Sequence, residues 1–182
     1  MKIVLFSLVT LASAVCFGRL VQGVDQDAFH PAPQHVLLQK QVGTWDAVLI
    51  AKNQAGVEAR TKGTRTTVKL ADFHTVDTFE GEFMGMTMLG HGVNGYCTAR
   101  KQFFTFWADS MTPSPMTLFG DYDDQKRELT MTGECLGMSG KLEKCQTVTS
   151  FQDDHHIAWV LFGFDAGGKR VQHLRIEYTR KS

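Results

Sequence analysis

Between Gly43 and Arg180, apolar residues recur mostly at a period of two, in short runs separated by turn signals. No stretch holds a helical period long enough for a strand–helix–strand unit. This argues against the parallel α/β folds and leaves an all-β, antiparallel up-and-down barrel or sandwich. The runs are Thr44 to Ala51, Val57 to Leu70, Phe73 to Phe83, Met86 to Val93, Phe103 to Asp109, Met116 to Tyr122, Glu128 to Cys135, Lys141 to Phe151, Ile157 to Phe164 and Arg170 to Arg180, about ten strands. Asn53-Gln54-Ala55-Gly56, Gly85, Asn94-Gly95 and Gly137-Met138-Ser139-Gly140 are among the turn signals between them. The run from Val57 is rich in Thr and Arg and reads as a long, partly solvated strand bent near Gly63. Ahead of the first strand, Gln34 to Val42 allows one or two helical turns, stopped by Gly43.

The densest aromatic run, Phe103-Phe104-Thr105-Phe106-Trp107-Ala108-Asp109, splits by alternation into two rows. Phe103, Thr105, Trp107 and Asp109 form one row. Phe104, Phe106 and Ala108 form the other. The first row combines a Trp with a carboxylate and is read as facing the barrel interior. In the third strand Asp77 and Phe79 share a row as well. If both rows point inward they build an apolar wall with a few polar points, the usual make-up of a small-molecule site. Trp107 would then pack on a ligand, with Asp109 at a polar mouth. The competing reading is that these aromatics simply fill the core.

Residues 1–23 read as a signal peptide: Lys2 gives a short positive start, Ile3 to Phe17 is mostly apolar, and Val21-Gln22-Gly23 offers one cleavage site and Ala12-Ser13-Ala14 another. Cys16 invites lipidation, although Val15 stands where that signal usually has Gly or Ala. Residues 24–34 form a polar arm and 35–182 a single barrel domain. The expected location is exported, periplasmic or extracellular, with no transmembrane span in the mature chain. Lys+Arg and Asp+Glu each number 19 in 182 residues, so formal net charge is zero, which argues against nucleic acid as a partner. Beyond Cys16 the cysteines are Cys97, Cys135 and Cys145. Cys135 and Cys145 flank a Gly-rich hairpin, and an exported protein meets oxidising conditions, so a Cys135–Cys145 disulfide is expected, with Cys97 free.

At Gly43-Thr44-Trp45 the chain resembles the entry of lipocalin-type barrels, where a helical turn leads into Gly-X-Trp on the first strand. That resemblance implies an Arg near the last strand covering the Trp and closing the barrel, a place that Arg180 takes against Trp45. Over about His35 to Lys181 the chain is similar to the exported bacterial family called domain of unknown function 1579, a lipocalin-like (calycin) group. The similarity is carried by Val42-Gly43-Thr44-Trp45, Phe79-Glu80-Gly81-Glu82, Met84-Gly85, Gly95-Tyr96, Trp107-Ala108-Asp109-Ser110-Met111, Leu129-Thr130-Met131-Thr132-Gly133-Glu134 and Ile176-Glu177-Tyr178-Thr179-Arg180-Lys181. It implies a closed antiparallel lipocalin-like barrel and no particular activity. Trp159 and Arg175 stand where such chains often have Glu, so no carboxylate chemistry carries over from those strands.

Other chemistry is thinly signalled. His155 and His156 are adjacent in a turn context, and no His spacing assembles the three or four ligands a zinc site needs. His91 sits between Gly90 and Gly92, where a backbone could approach a flat ligand such as haem. Met84, Met86, Met88, Met111 and Met116 suit adaptable packing better than copper(I) binding. Asp77, Asp109 and Glu134 could meet in the barrel as acid and base. No cofactor and no metal is assigned. The leading reading is a barrel holding a small apolar or amphipathic ligand. The alternatives are a hydrolase- or lyase-type enzyme using cavity carboxylates, or a structural barrel with a filled core whose outward apolar row makes a homodimer.

Overall fold

The computed structural model describes residues 30–52, 56–137 and 139–182. The signal peptide, Cys16, the arm up to residue 29, the hairpin tip 53–55 and Met138 lie outside the described residues. Pro33 opens α1 (Pro33–Gln39), where its fixed φ suits a first helical turn and its missing N–H would have had no partner. The helix thus starts two residues before the boundary drawn at His35. His35 closes the first turn, its Nδ1 accepting from the Ala32 N–H at 2.8 Å. Gly43, at φ 133°, swings the chain out of the helix into β1, a conformation that a side chain would resist.

Ten strands follow among the described residues: β1 (Gly43–Lys52), β2 (Glu58–Leu70), β3 (His74–Phe83), β4 (Met86–Cys97), β5 (Gln102–Asp109), β6 (Met116–Asp123), β7 (Glu128–Leu136), β8 (Leu142–Phe151), β9 (His156–Phe164) and β10 (Arg170–Arg180). Each pairs antiparallel with its neighbours in sequence, and β1 pairs with β10, closing the barrel. Strands with alternating burial favour closure because it removes both unpaired edges. No helix among the described residues is long and apolar enough to cross a membrane.

The core is one cluster running the length of the barrel, from Leu38 of α1 and Trp45 to Met88 and Cys145. At the α1 end Trp45 of β1 lies opposite Arg180 of β10 and Arg65 of β2. The Arg180 guanidinium rests 4.1 Å from the indole ring centre. It donates to the Val42 carbonyl (2.7 Å), the Lys40 carbonyl (2.6 Å) and the Asp154 carbonyl (2.9 Å). Trp45 Nε1–H donates to the Gln41 carbonyl at 2.8 Å. The Lys40, Gln41 and Val42 carbonyls just past α1 are thereby taken up by side chains, while the Leu37, Leu38 and Gln39 carbonyls accept from the following backbone N–H groups, so the short helix is fastened at its C-terminal end.

Two expectations are corrected. Asn94-Gly95 is not a turn: β4 runs through it to Cys97, and the chain reverses over Thr98–Lys101. Asn94 points inward and is hydrogen-bonded on both sides, while Gly95 leaves room for Phe104 and His74, whose rings would stand 2.5 and 2.7 Å from an added Cβ. Tertiary contacts here override a local turn preference. The Cys135–Cys145 disulfide is not formed; Cys97, Cys135 and Cys145 are free thiols. The register explains this, because Cys145 lies opposite Gly133 and Cys135 opposite Glu143, so the cysteines are diagonal rather than directly paired.

Candidate functional site

Alternation on β2 to β5 places a row of polar side chains inside the barrel, one next to another. Thr67 on β2 pairs with Asp77 on β3, and its hydroxyl donates to Asp77 Oδ1 at 2.6 Å. Asn94 Nδ2 on β4 donates to Asp77 Oδ2 at 2.9 Å. Thr105 on β5 donates to Asn94 Oδ1 at 2.6 Å. Thr67, Asp77 and Thr105 are all buried. Threonine suits both jobs in this layer, since its branched Cβ favours a strand and its hydroxyl can donate to the neighbouring strand.

Arg65 lies two positions from Thr67 on the same row and is only 6% exposed. Its guanidinium stacks on the Tyr178 ring at 4.2 Å and stands 5.5 Å from the Trp45 ring. Nη1 donates to Gln41 Oε1 over a long 3.5 Å. Nε and Nη2 find no acceptor on the protein. Burial pushes the Tyr178 hydroxyl up to about 12, with the Arg65 cation pulling the other way.

Above this layer the interior turns apolar. A cavity of about 100 Å³ runs between the two regions, bounded by Arg65, Asp77 and Asn94 on the polar side and by Phe79, Phe103, Trp107 and Leu118 on the other. That is several times the ~10–15 Å³ a single water needs, yet below the ~300 Å³ at which drug-sized sites begin. Met88 and Met116 also line it. Their unbranched side chains can rotate, so the wall is adaptable.

The structure brings Asp77, Phe79, Phe103, Thr105 and Trp107 together on this cavity and leaves Asp109 out. Asp109 Oδ2 accepts from Trp107 Nε1–H at 2.7 Å, and Oδ1 from the Met111 and Thr112 N–H groups at 2.8 and 3.1 Å. It ties the indole to the turn after β5 instead of marking a mouth. The flat group over Gly90 and Gly92 is the Trp107 ring itself, 2.2 and 3.0 Å from where their Cβ atoms would be. His91 points outward and is exposed. The acid–base trio does not converge, because Glu134 is exposed on the outer face and only Asp77 of the three lines the cavity. His156 bonds Asp153 in an exposed turn at 2.9 Å, and among the described residues no three His, Cys, Asp or Glu side chains converge as metal ligands.

At the end away from α1, Cys145 Sγ sits 4.0 Å from Met116 Sδ. The Cys145 thiol also bonds to Cys135, which pulls the Cys135 thiol below its ordinary value and, with burial, pushes Cys145 up. Met84 and Met86 are exposed, so the methionines divide between surface and interior.

A family described as "Protein of unknown function (DUF1579)" has a model that matches residues 30–180. The chain belongs to this family. Among solved structures, this DUF1579 chain is similar to Rv2717c from M. tuberculosis, with a TM-score of 0.63 and 15% identity over 84% of this chain and 100% of that one. It is also similar to the S-type phycobiliprotein lyase CPES from Guillardia theta, with a TM-score of 0.54 and 12% identity over 82% of this chain and 93% of that one. At such identities the likeness is one of fold. Comparison with curated proteins finds no match.

Arg65, Tyr178 and Asn94 are the site residues that the sequence did not disclose. Arg65 hides in a Thr- and Arg-rich run that reads as solvated, and Asn94 in an Asn-Gly pair that reads as a turn. The one available signal for Arg65 was its place in the same alternation row as Thr67.

Proposed function

We propose that this DUF1579 barrel binds a small amphipathic molecule in its interior. The ligand's apolar part lies against Phe79, Phe103, Trp107 and Leu118. Its polar end meets the layer formed by Arg65, Asp77 and Asn94. The observation that carries this reading is a cavity that borders both surfaces at once. A side-chain-filled core would have no need of a hydrogen-bonded polar layer beside its void, since apolar packing alone fills such a space more cheaply. The proposal includes export, supported by the leader-like residues 1–23; N-terminal sequencing of the protein recovered from its own host checks it, and an intact Met1 end would reject it.

The direct test is native mass spectrometry of protein purified from its own host, followed by titration of intrinsic Trp fluorescence with small acids, alcohols and esters. A bound mass, or a saturable fluorescence change that Trp107→Phe alters, supports the reading. No bound mass and no response to any member of the panel would leave the filled-core barrel standing.

A further inference from the structure

We propose that Arg65 is the receptor for the carboxylate of a small monocarboxylic acid, an assignment that rests on the ligand-binding reading above and names the chemical class of that ligand. The starting point is which atoms of Arg65 are engaged. Nη1, on one side of the guanidinium, reaches Gln41 Oε1. Nε and Nη2, which have no acceptor on the protein, are adjacent and form the opposite edge. Their N–H groups point the same way, side by side, at a spacing that matches the two oxygens of a carboxylate. A buried guanidinium with its whole bidentate edge unmatched is costly, and buried polar groups in folded proteins are nearly always paired. Arg65 lines the cavity, so a ligand there meets the residue that carries this buried edge.

No protein atom makes an aligned hydrogen bond with this edge, although the Tyr178 hydroxyl lies close enough to interact with the guanidinium. Asp77 is the acid on the cavity wall, and its two oxygens are already engaged by Thr67 and Asn94. No ion pair joins it to Arg65 among the described residues. Tyr178 and Trp45 present ring faces to the guanidinium and hold its plane in orientation. A receptor held rigid in this way loses little freedom on binding. Asp77 also sets selectivity. It places one negative charge in the same layer, so a second full charge on the ligand head is repelled, which favours a monocarboxylate over a phosphate dianion. The cavity of about 100 Å³ limits the tail to a short chain unless Met88 and Met116 rotate.

The test is calorimetric or NMR titration of the full chain with hexanoate, hexanol and hexyl phosphate. Hexanoate is expected to bind at least about tenfold more tightly than hexanol, the size of one charge-assisted bond, and hexyl phosphate more weakly than hexanoate. Arg65→Lys, which keeps the charge and loses the fork, is expected to lose most of that preference. Arg65→Met removes the charge with little change in bulk; it is expected to lose the preference for hexanoate over hexanol and to be no less stable. Equal binding of acid and alcohol, or an undiminished hexanoate preference in both Arg65 variants, overturns the carboxylate assignment while leaving the ligand-binding reading intact. Failure of all three probes to bind removes that reading and this assignment together. Loss of folding in Arg65→Met alone assigns the guanidinium a structural role and also counts against the proposal, with Arg65→Lys then deciding the preference.

Discussion

Tyr178 and Cys135 show how the barrel interior alters ordinary chemistry at single residues. The Tyr178 hydroxyl ionises near 10.0 when unburied and is pushed up to about 12 by burial. The folded chain therefore holds this proton more tightly than the unfolded one. The stabilisation is whole below pH 10.0 and is lost as pH rises toward about 12. Subtracting the unfolding free energy of Tyr178→Phe from that of the natural chain should give a difference that falls by roughly 2–3 kcal/mol across this window. A flat difference would show that the ring is solvated. Cys135 is the more reactive member of its pair, since the Cys145 thiol donates to it and favours its thiolate. Iodoacetamide should modify Cys135 before Cys145, and Cys145→Ala should move the pH midpoint of Cys135 alkylation upward. Mass mapping of the alkylated peptides reads both. Spacing along the chain suggested that these two cysteines bond. It could not reveal a register that sets them on a diagonal, because register depends on how the whole strand pair is packed.

Most strands were legible as elements because a half-buried strand writes its pattern into alternate residues. The exception is instructive. Asn94 and Gly95 carry the residue types of a turn, yet both are used inside β4 for reasons that lie on other strands: Asn94 for Asp77 and Thr105, Gly95 for the Phe104 and His74 rings. Gly90 has a similar relation to β5, since an added Cβ would lie 2.2 Å from the Trp107 ring. Gly90→Ala should push the indole from its seat and destabilise the fold by about 1–3 kcal/mol, visible in denaturant melts together with a changed Trp emission. An unchanged melt would mean that the β4–β5 pair relaxes freely there. At the other end, α1 is fastened to β10 by Arg180. Arg180→Lys retains the charge but cannot span the Val42, Lys40 and Asp154 carbonyls and cover the indole together. A loss of about 2 kcal/mol is expected, and equal melting temperatures would count against this fastening.

For the molecule as a whole, ring closure was legible from strand number, turn spacing and the Trp45–Arg180 ends, whereas the cavity was not. A void is what remains after all the side chains have packed, and no single residue encodes it. Phe79, Phe103 and Trp107 could be assigned to the interior from alternation, but whether they leave space depends on Leu118, Met88 and Met116 opposite them. Trp107→Ala separates the two kinds of interior. A rigid, filled core loses roughly 3–5 kcal/mol. An adaptable one, with methionines free to move in, loses less and gains affinity for larger apolar probes, which is the outcome expected here. The closed ring also has a kinetic side. Every ladder but one joins strands adjacent in sequence. The exception is β1–β10, where the Arg180 to Val42 bond spans 138 residues. Closing so long a loop is entropically costly and is repaid only once both ends meet, so this seam forms late, after a nearly complete open ribbon. Contacts made after the rate-limiting barrier govern how fast a protein opens. Arg180→Ala should therefore steepen the loss of the native state, with a faster unfolding limb and a refolding limb almost unmoved. A slowed refolding limb would instead place the seam in the nucleus.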